Sequence, residues 1–214
     1  MLSGEGIVWE SCEMSAENQK EILQRYLRAG REAVLWKLDG TSEYDVRRPL
    51  VPTGTNLLGL VKHLAGTEAG YLGETFNRPF DEPLPWMGES AEPNADMWAG
   101  AKESRASIVD LYGRVAAHSD ATIDALELDA PGRVAWWHPE RRSVTLHQVL
   151  IHMIAETHRH AGHADIVREL IDGAAGLRKG NDNLPAVDRE WWGAYRARLE
   201  QVAREAGKGS QGSD

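Results

Sequence analysis

The sequence predicts an all-α protein, a four-helix bundle with an additional C-terminal helix. Three observations predict it. Four long segments carry apolar residues at alternating steps of four and three, the stripe by which one helix faces others. Residues that stop helices fall between those segments: Asp39-Gly40, a run holding Pro79, Pro83, Pro85 and Pro93, then Pro131-Gly132 and Gly173. No region has the alternation of a strand-rich protein. Four such helices bury their stripes against one another as a bundle.

The elements follow in order. Residues 1–14 read as an irregular lead-in. Ser15 then caps a first helix to about residue 38, whose stripe is Ile22, Leu23, Tyr26, Leu27, Val34 and Leu38. Thr55 or Asn56 caps a second helix over 57–76, carrying Leu57, Leu60, Leu64 and Tyr71. The same helix has a second stripe of Gly59, His63, Gly66, Gly70 and Gly73. Each interior glycine costs about 1 kcal/mol relative to alanine. The stripe is therefore expected to admit a close neighbour, namely Ala161 and Ala164 of the fourth helix.

Residues 77–96 hold four prolines and Trp86 and form a long connection. A third helix is expected over 97–126, on the seam Ala101, Ile108, Leu111, Val115, Thr122 and Leu126. Residues 128–142, with Trp136, Trp137 and His138, read as a short extended excursion. The fourth helix runs over 146–172, opens on the capping box Thr145-Leu-His-Gln148 and closes at Gly173. Its seam is Leu146, Leu150, Met153, Thr157, His160, Ala164, Val167 and Ile171. A last helix over 187–206 carries Trp191, Trp192, Tyr195, Leu199 and Val202, and residues 207–214 read as a disordered tail. One domain is expected over 15–206. The connections 77–96 and 128–142 are expected to roof a pocket beside His63.

Composition narrows the function. A net charge of −9 argues against nucleic-acid binding, which needs a cationic surface. The single cysteine, Cys12, allows no intrachain disulfide and suits a reducing cytoplasm. No leader and no membrane span is legible.

Chemistry concentrates in the fourth helix, where His152, His158, His160 and His163 account for four of the eight histidines. Glu156 and His160 stand one turn apart on one face, within reach of one cation. A carboxylate beside a core seam needs such a partner. A catalytic metal site takes three protein ligands and keeps a position open, and His63 on the glycine stripe is the third ligand expected. Two imidazoles and one carboxylate leave a divalent ion with net charge near +1. Such a centre lowers the pKa of bound water or of a thiol. His152 and His163 are expected behind the ligands, and Trp137, Arg141 and Arg142 beside the substrate. The alternative is a buried His–Glu pair without metal. The helix motifs of zinc proteases and di-iron carboxylate bundles are absent from the sequence.

Leu60-Val-Lys-His63-Leu-Ala-Gly and Ala155-Glu156-Thr-His-Arg-His160-Ala-Gly-His163-Ala-Asp-Ile together resemble the DinB/YfiT-like metal-binding superfamily. Over roughly residues 15–205 the chain is similar to its actinobacterial DinB-like members, to mycothiol-dependent maleylpyruvate isomerases and to mycothiol transferases. The resemblance implies an up-down-down-up bundle and a divalent metal, zinc or else nickel, on His63, Glu156 and His160. It also implies homodimers, and transfer of a low-molecular-weight thiol to a small electrophile. Glu156 in the middle ligand position is the mycothiol-isomerase form, while His163 replaces a frequent glutamine. The isomerases carry a further C-terminal domain that the sequence does not continue into, so their own reaction is not expected. A metal-dependent hydrolase and a non-catalytic metal-binding or dimerisation stress protein are the competing readings.

Overall fold

The computed structural model describes residues 16–88 and 90–209. The expected lead-in, the Ser15 cap, Cys12 and residues 210–214 lie outside them. The chain forms two units, one reaching to Asp182 and one beginning at Asn183. The first contains four long helices: α1 Ala16–Trp36, α2 Leu57–Leu72, α3 Arg105–Ala125 and α4 Leu146–Asp172. It also holds a two-stranded antiparallel sheet, β1 Pro131–Arg133 with β2 Ser143–Thr145, in which Gly132 faces Val144. The excursion expected over 128–142 is thus largely this hairpin. The second unit carries α5, Arg189–Gly209, which continues past the expected end at Ala206. Within it Trp191 and Tyr195 stack at 5.1 Å, and Trp192 meets Trp191 edge-on. No described helix is long and apolar enough to cross a membrane.

Polar contacts at the helix ends give the directions. Arg105, opening α3, donates to the carbonyls of Leu38 and Thr41 just beyond α1, while Gln24 near the start of α1 reaches Asp124 at the end of α3. These two helices are antiparallel. Arg168, late in α4, donates to the carbonyls of Lys37 and Asp39, so α4 runs parallel to α1. Asn56 at the start of α2 donates to Met97, and Arg78 just after α2 reaches Thr122 late in α3. That makes α2 and α3 parallel, and the order up-down-down-up. A parallel neighbour requires the chain to travel back along α2, which residues 73–104 do.

The caps at α2 and α4 are the expected ones. Asn56 accepts from the Gly59 N–H, Thr145 accepts from the Gln148 N–H, and Gly173 ends α4 at φ +81°, a left-handed conformation that glycine adopts without a Cβ clash. Three boundaries differ from expectation. α1 ends at Trp36, and the chain turns through Lys37 to Gly40. α2 ends at Leu72, followed by one turn of 3-10 helix, Glu74–Phe76. α3 begins at Arg105 rather than 97, because Ser104 caps it and Glu103 is drawn aside to the Gly100 N–H and to Lys62. Ala101 therefore belongs to the preceding turn, and the buried face of α3 is Ile108, Leu111, Tyr112, Val115, Ser119, Thr122 and Ile123.

The inward face of α1 is also rotated from the expected stripe. Tyr26 is 54% exposed, whereas Gln24 and Arg31 are buried. The reason is a polar cluster in the core. Arg31 makes a forked ion pair with the fully buried Glu68 of α2 and a second bond to Asp120 of α3 at 2.8 Å. Burial pushes the Glu68 carboxyl up, and Arg31 opposes that shift. A buried pair of this kind is costly to break from one side. Next to it, Gly30 faces α4 so closely that a Cβ would stand 2.9 Å from the His158 ring and 3.0 Å from Thr157. The close helix contact is α1 on α4, where no glycine stripe signalled it.

Candidate metal centre and its cavity

His63 projects from α2, Glu156 and His160 from α4. One ligand atom from each lies within 4.8 Å of the other two. Glu156 Oε1 stands 3.0 Å from His160 Nε2 and 3.5 Å from His63 Nε2. The imidazole rings meet edge to face at 4.7 Å. Each ring is held from behind. His63 Nδ1 lies 2.6 Å from Asp96 Oδ2, and His160 Nδ1 lies 3.3 Å from His163 Nδ1. An ionised Asp96 can only accept, so His63 Nδ1 carries the proton and its Nε2 keeps a lone pair. Nε2 of both rings and Oε1 of Glu156 thus converge on one point, within reach of a single cation. Burial, reinforced by the nearby His63, lowers the His160 pKa, which keeps the ring neutral and able to ligate. Burial works against ionisation of Glu156 as well, yet His160 and His63 outweigh it and hold the carboxyl below its usual value. The donor set, two neutral nitrogens and one carboxylate oxygen, is one that zinc takes.

Asp96 is the member of this candidate site that sequence reasoning missed. It sits on a single 3-10 turn, Ala95–Met97, at the far end of the proline-rich connection. No local pattern marks it, since its partner is 33 residues away. Neighbouring contacts pin the same stretch to α2: Asn56 to the Met97 carbonyl, and Lys62 to the Trp98 carbonyl and Glu103.

Beside these three candidate ligands lies a cavity of about 770 Å³. His63 and Glu156 line it together with Thr67, Gly70, Tyr71 and His152 from the helices. Both expected roof segments contribute: Phe80, Glu82, Pro83, Leu84, Met87 and Gly88 from one, Trp136 from the other. Trp86 is elsewhere, under the Lys62 ammonium at 4.5 Å. Trp137 donates to the Tyr71 hydroxyl at 2.8 Å and packs edge-on to His152, whose ring also contacts Tyr71. Arg142 donates to the Trp137 carbonyl and Arg141 is exposed, and neither lines the cavity.

The glycine stripe needs a correction. A Cβ on Gly59 would overlap the Met97 carbonyl, one on Gly66 would overlap the Met87 side chain, and one on Gly70 would lie 3.1 Å from the Trp136 ring. The stripe thus admits the two connections, not Ala161 and Ala164 of α4, which are buried in the bundle core. Close approach by a loop backbone was invisible in helix periodicity, which names a face but not its neighbour.

A model of the family described as mycothiol-S-transferase matches residues 22–173, which include most of α1, the whole of α2, α3 and α4, and His63, Glu156 and His160. No curated protein matches. Among solved structures, a conserved protein from Enterococcus faecalis is similar in fold, with TM-score 0.54 and 16% identity, over 72% of this chain and 98% of that one. The family match spans well over half of the chain, and the chain belongs to the mycothiol S-transferase family of DinB-like bundles.

Proposed function

We propose that the protein is a divalent-metal-dependent thiol S-transferase that joins a low-molecular-weight thiol of the mycothiol type to a small electrophile. The observation that carries this reading is the convergence of His63, Glu156 and His160 at the wall of a cavity large enough for two small reactants. A divalent ion held by those residues supplies Lewis acidity, which favours the anionic and more nucleophilic form of a thiol. Zinc fits the donors best, with nickel as the alternative.

The protein's own groups do the rest. Asp96 and His163 fix the two rings so that Nε2 faces inward. Glu156 supplies the one negative charge of the set. Tyr71, Trp136 and Met87 keep water from one side of the reacting carbon. Sulfur forms a bond to that carbon as the bond to the leaving group breaks. The thiol proton and the leaving group depart together as an acid, and no outside oxidant or reductant enters. A chain with a single cysteine suits a reaction whose sulfur comes from a separate molecule.

A cytoplasmic homodimer completes the proposal. The outer face of α4 presents Ile151, Ile166 and Leu170, each at least half exposed, along with the open Gly162. Such a stripe suits packing against a second copy. The deciding experiment is consumption of monobromobimane by mycothiol in the presence of metal-free and zinc-reloaded protein. Acceleration that requires both protein and metal supports the reading, whereas acceleration unaffected by metal removal rules it out. Ester cleavage without thiol would support a hydrolase instead.

A further inference from the structure

The cavity follows α2 from His63 past Gly66 and Gly70 to Tyr71 and Glu74. Tyr71 stands two helical turns beyond His63, about 12 Å along the axis of α2. Its ring meets Trp136 edge-on at 5.1 Å, and Phe80 and Met87 complete an apolar, electron-rich wall. Among the described residues no lysine or arginine lines the cavity, while three glutamates do. Two of the three are already matched. Arg114 grips Glu82 with both nitrogens at 2.5 and 2.8 Å, and Glu156 faces two histidines. Glu74 has no hydrogen bond or ion pair from its carboxylate among the described residues. Aromatic faces and an unmatched carboxylate both attract positive charge. The net charge of −9 acts in the same direction at longer range.

We infer that this end of the cavity binds an organic cation, an ammonium or protonated heteroaromatic group, carried by the electrophilic substrate. The inference rests on the S-transfer reading for the identity of that substrate, but the binding itself does not. An acceptor with an anionic tail is repelled, and a neutral one of equal shape gains only the apolar wall. The amine-bearing electrophile would lie with its cation between Trp136, Tyr71 and Glu74 and its reacting carbon toward His63.

The test separates binding from turnover. Benzyltrimethylammonium and its uncharged tert-butyl isostere are titrated against the zinc-loaded full chain, with tryptophan fluorescence as the readout. Myo-inositol serves as a competing polyol. The expected result is about tenfold tighter binding of the cation, falling to two- or threefold in Glu74→Gln, with binding of the neutral isostere unchanged. Glu74 is exposed and has no partner to lose, so this variant folds. Trp136→Ala weakens both ligands. Equal affinities in the wild type, an unchanged preference in Glu74→Gln, or displacement by inositol but not by the cation would each overturn the inference. A second measurement uses iodoacetamides bearing a trimethylammonioethyl or a dimethylbutyl tail as acceptors. S-transfer with no preference between them would leave the proposed function standing and sink the cation site. Cation binding without S-transfer would do the reverse.

Discussion

Replacing Asp96 tests whether the connection after α2 builds the metal centre or merely passes over it. Asp96 meets His63 Nδ1 at 2.6 Å, and both side chains are about one-fifth exposed, at 21% and 20%. A hydrogen bond between a carboxylate and a ring N–H is worth about 1.5–3 kcal/mol when buried, so partial exposure points to the lower half of that range. Loss of such a support costs about 10- to 100-fold in metal affinity, or roughly 1.4–2.7 kcal/mol. The two estimates agree. Asp96→Ala should therefore weaken zinc binding by about tenfold or somewhat more, with a smaller loss in Asp96→Asn, which keeps an acceptor oxygen but not the charge. The assay is competition with a zinc-responsive chelating dye, with circular dichroism as a control for folding. Wild-type affinity in Asp96→Ala, with an intact helical spectrum, would refute the reasoning and leave Asp96 a loop contact only.

Three further outcomes are expected. His160→Ala should abolish the roughly one ion per chain expected of the purified protein, and equal metal content in variant and wild type would remove His160 from the site. Gly59→Ala should destabilise the bundle in thermal unfolding because its methyl meets the Met97 backbone, whereas Gly113→Ala, with open space at Cβ on the exposed face of α3, should stabilise by about 0.5–1 kcal/mol. Arg31→Met should cost about 3–5 kcal/mol near neutral pH by leaving Glu68 buried and unmatched. In that variant the folded-state pKa of Glu68 rises further above its ordinary value of 4.5, so the folded form binds more protons than the unfolded one. Its deficit should be smallest below about pH 4.5 and should grow as pH rises, which denaturant titrations at pH 4 and pH 7 can measure.

The properties that depend on neighbours in sequence were legible without coordinates. The seam of α4, its Thr145 cap and its Gly173 stop are local matters of helical pitch and backbone conformation, and all three stand as read. Glu156 and His160 face one way for the same reason, since four residues make about one turn. The choice of His63 needed the glycine stripe and the resemblance to a family, because its distance from Glu156 is 93 residues. Tertiary structure alone decided the rest. A helical period states which residues share a face, and it is silent on what that face meets. The glycines of α2 therefore turned out to receive Met97, Met87 and Trp136, while the tight helix contact fell at Gly30. Tyr26 points outward because Arg31 is drawn inward by a carboxylate on another helix, a preference no apolar count contains. Asp96 reaches His63 only because a proline-rich connection returns along α2 before α3 can begin. The candidate metal site thus combines a local geometry written into one helix with two partners that only the folded chain brings close.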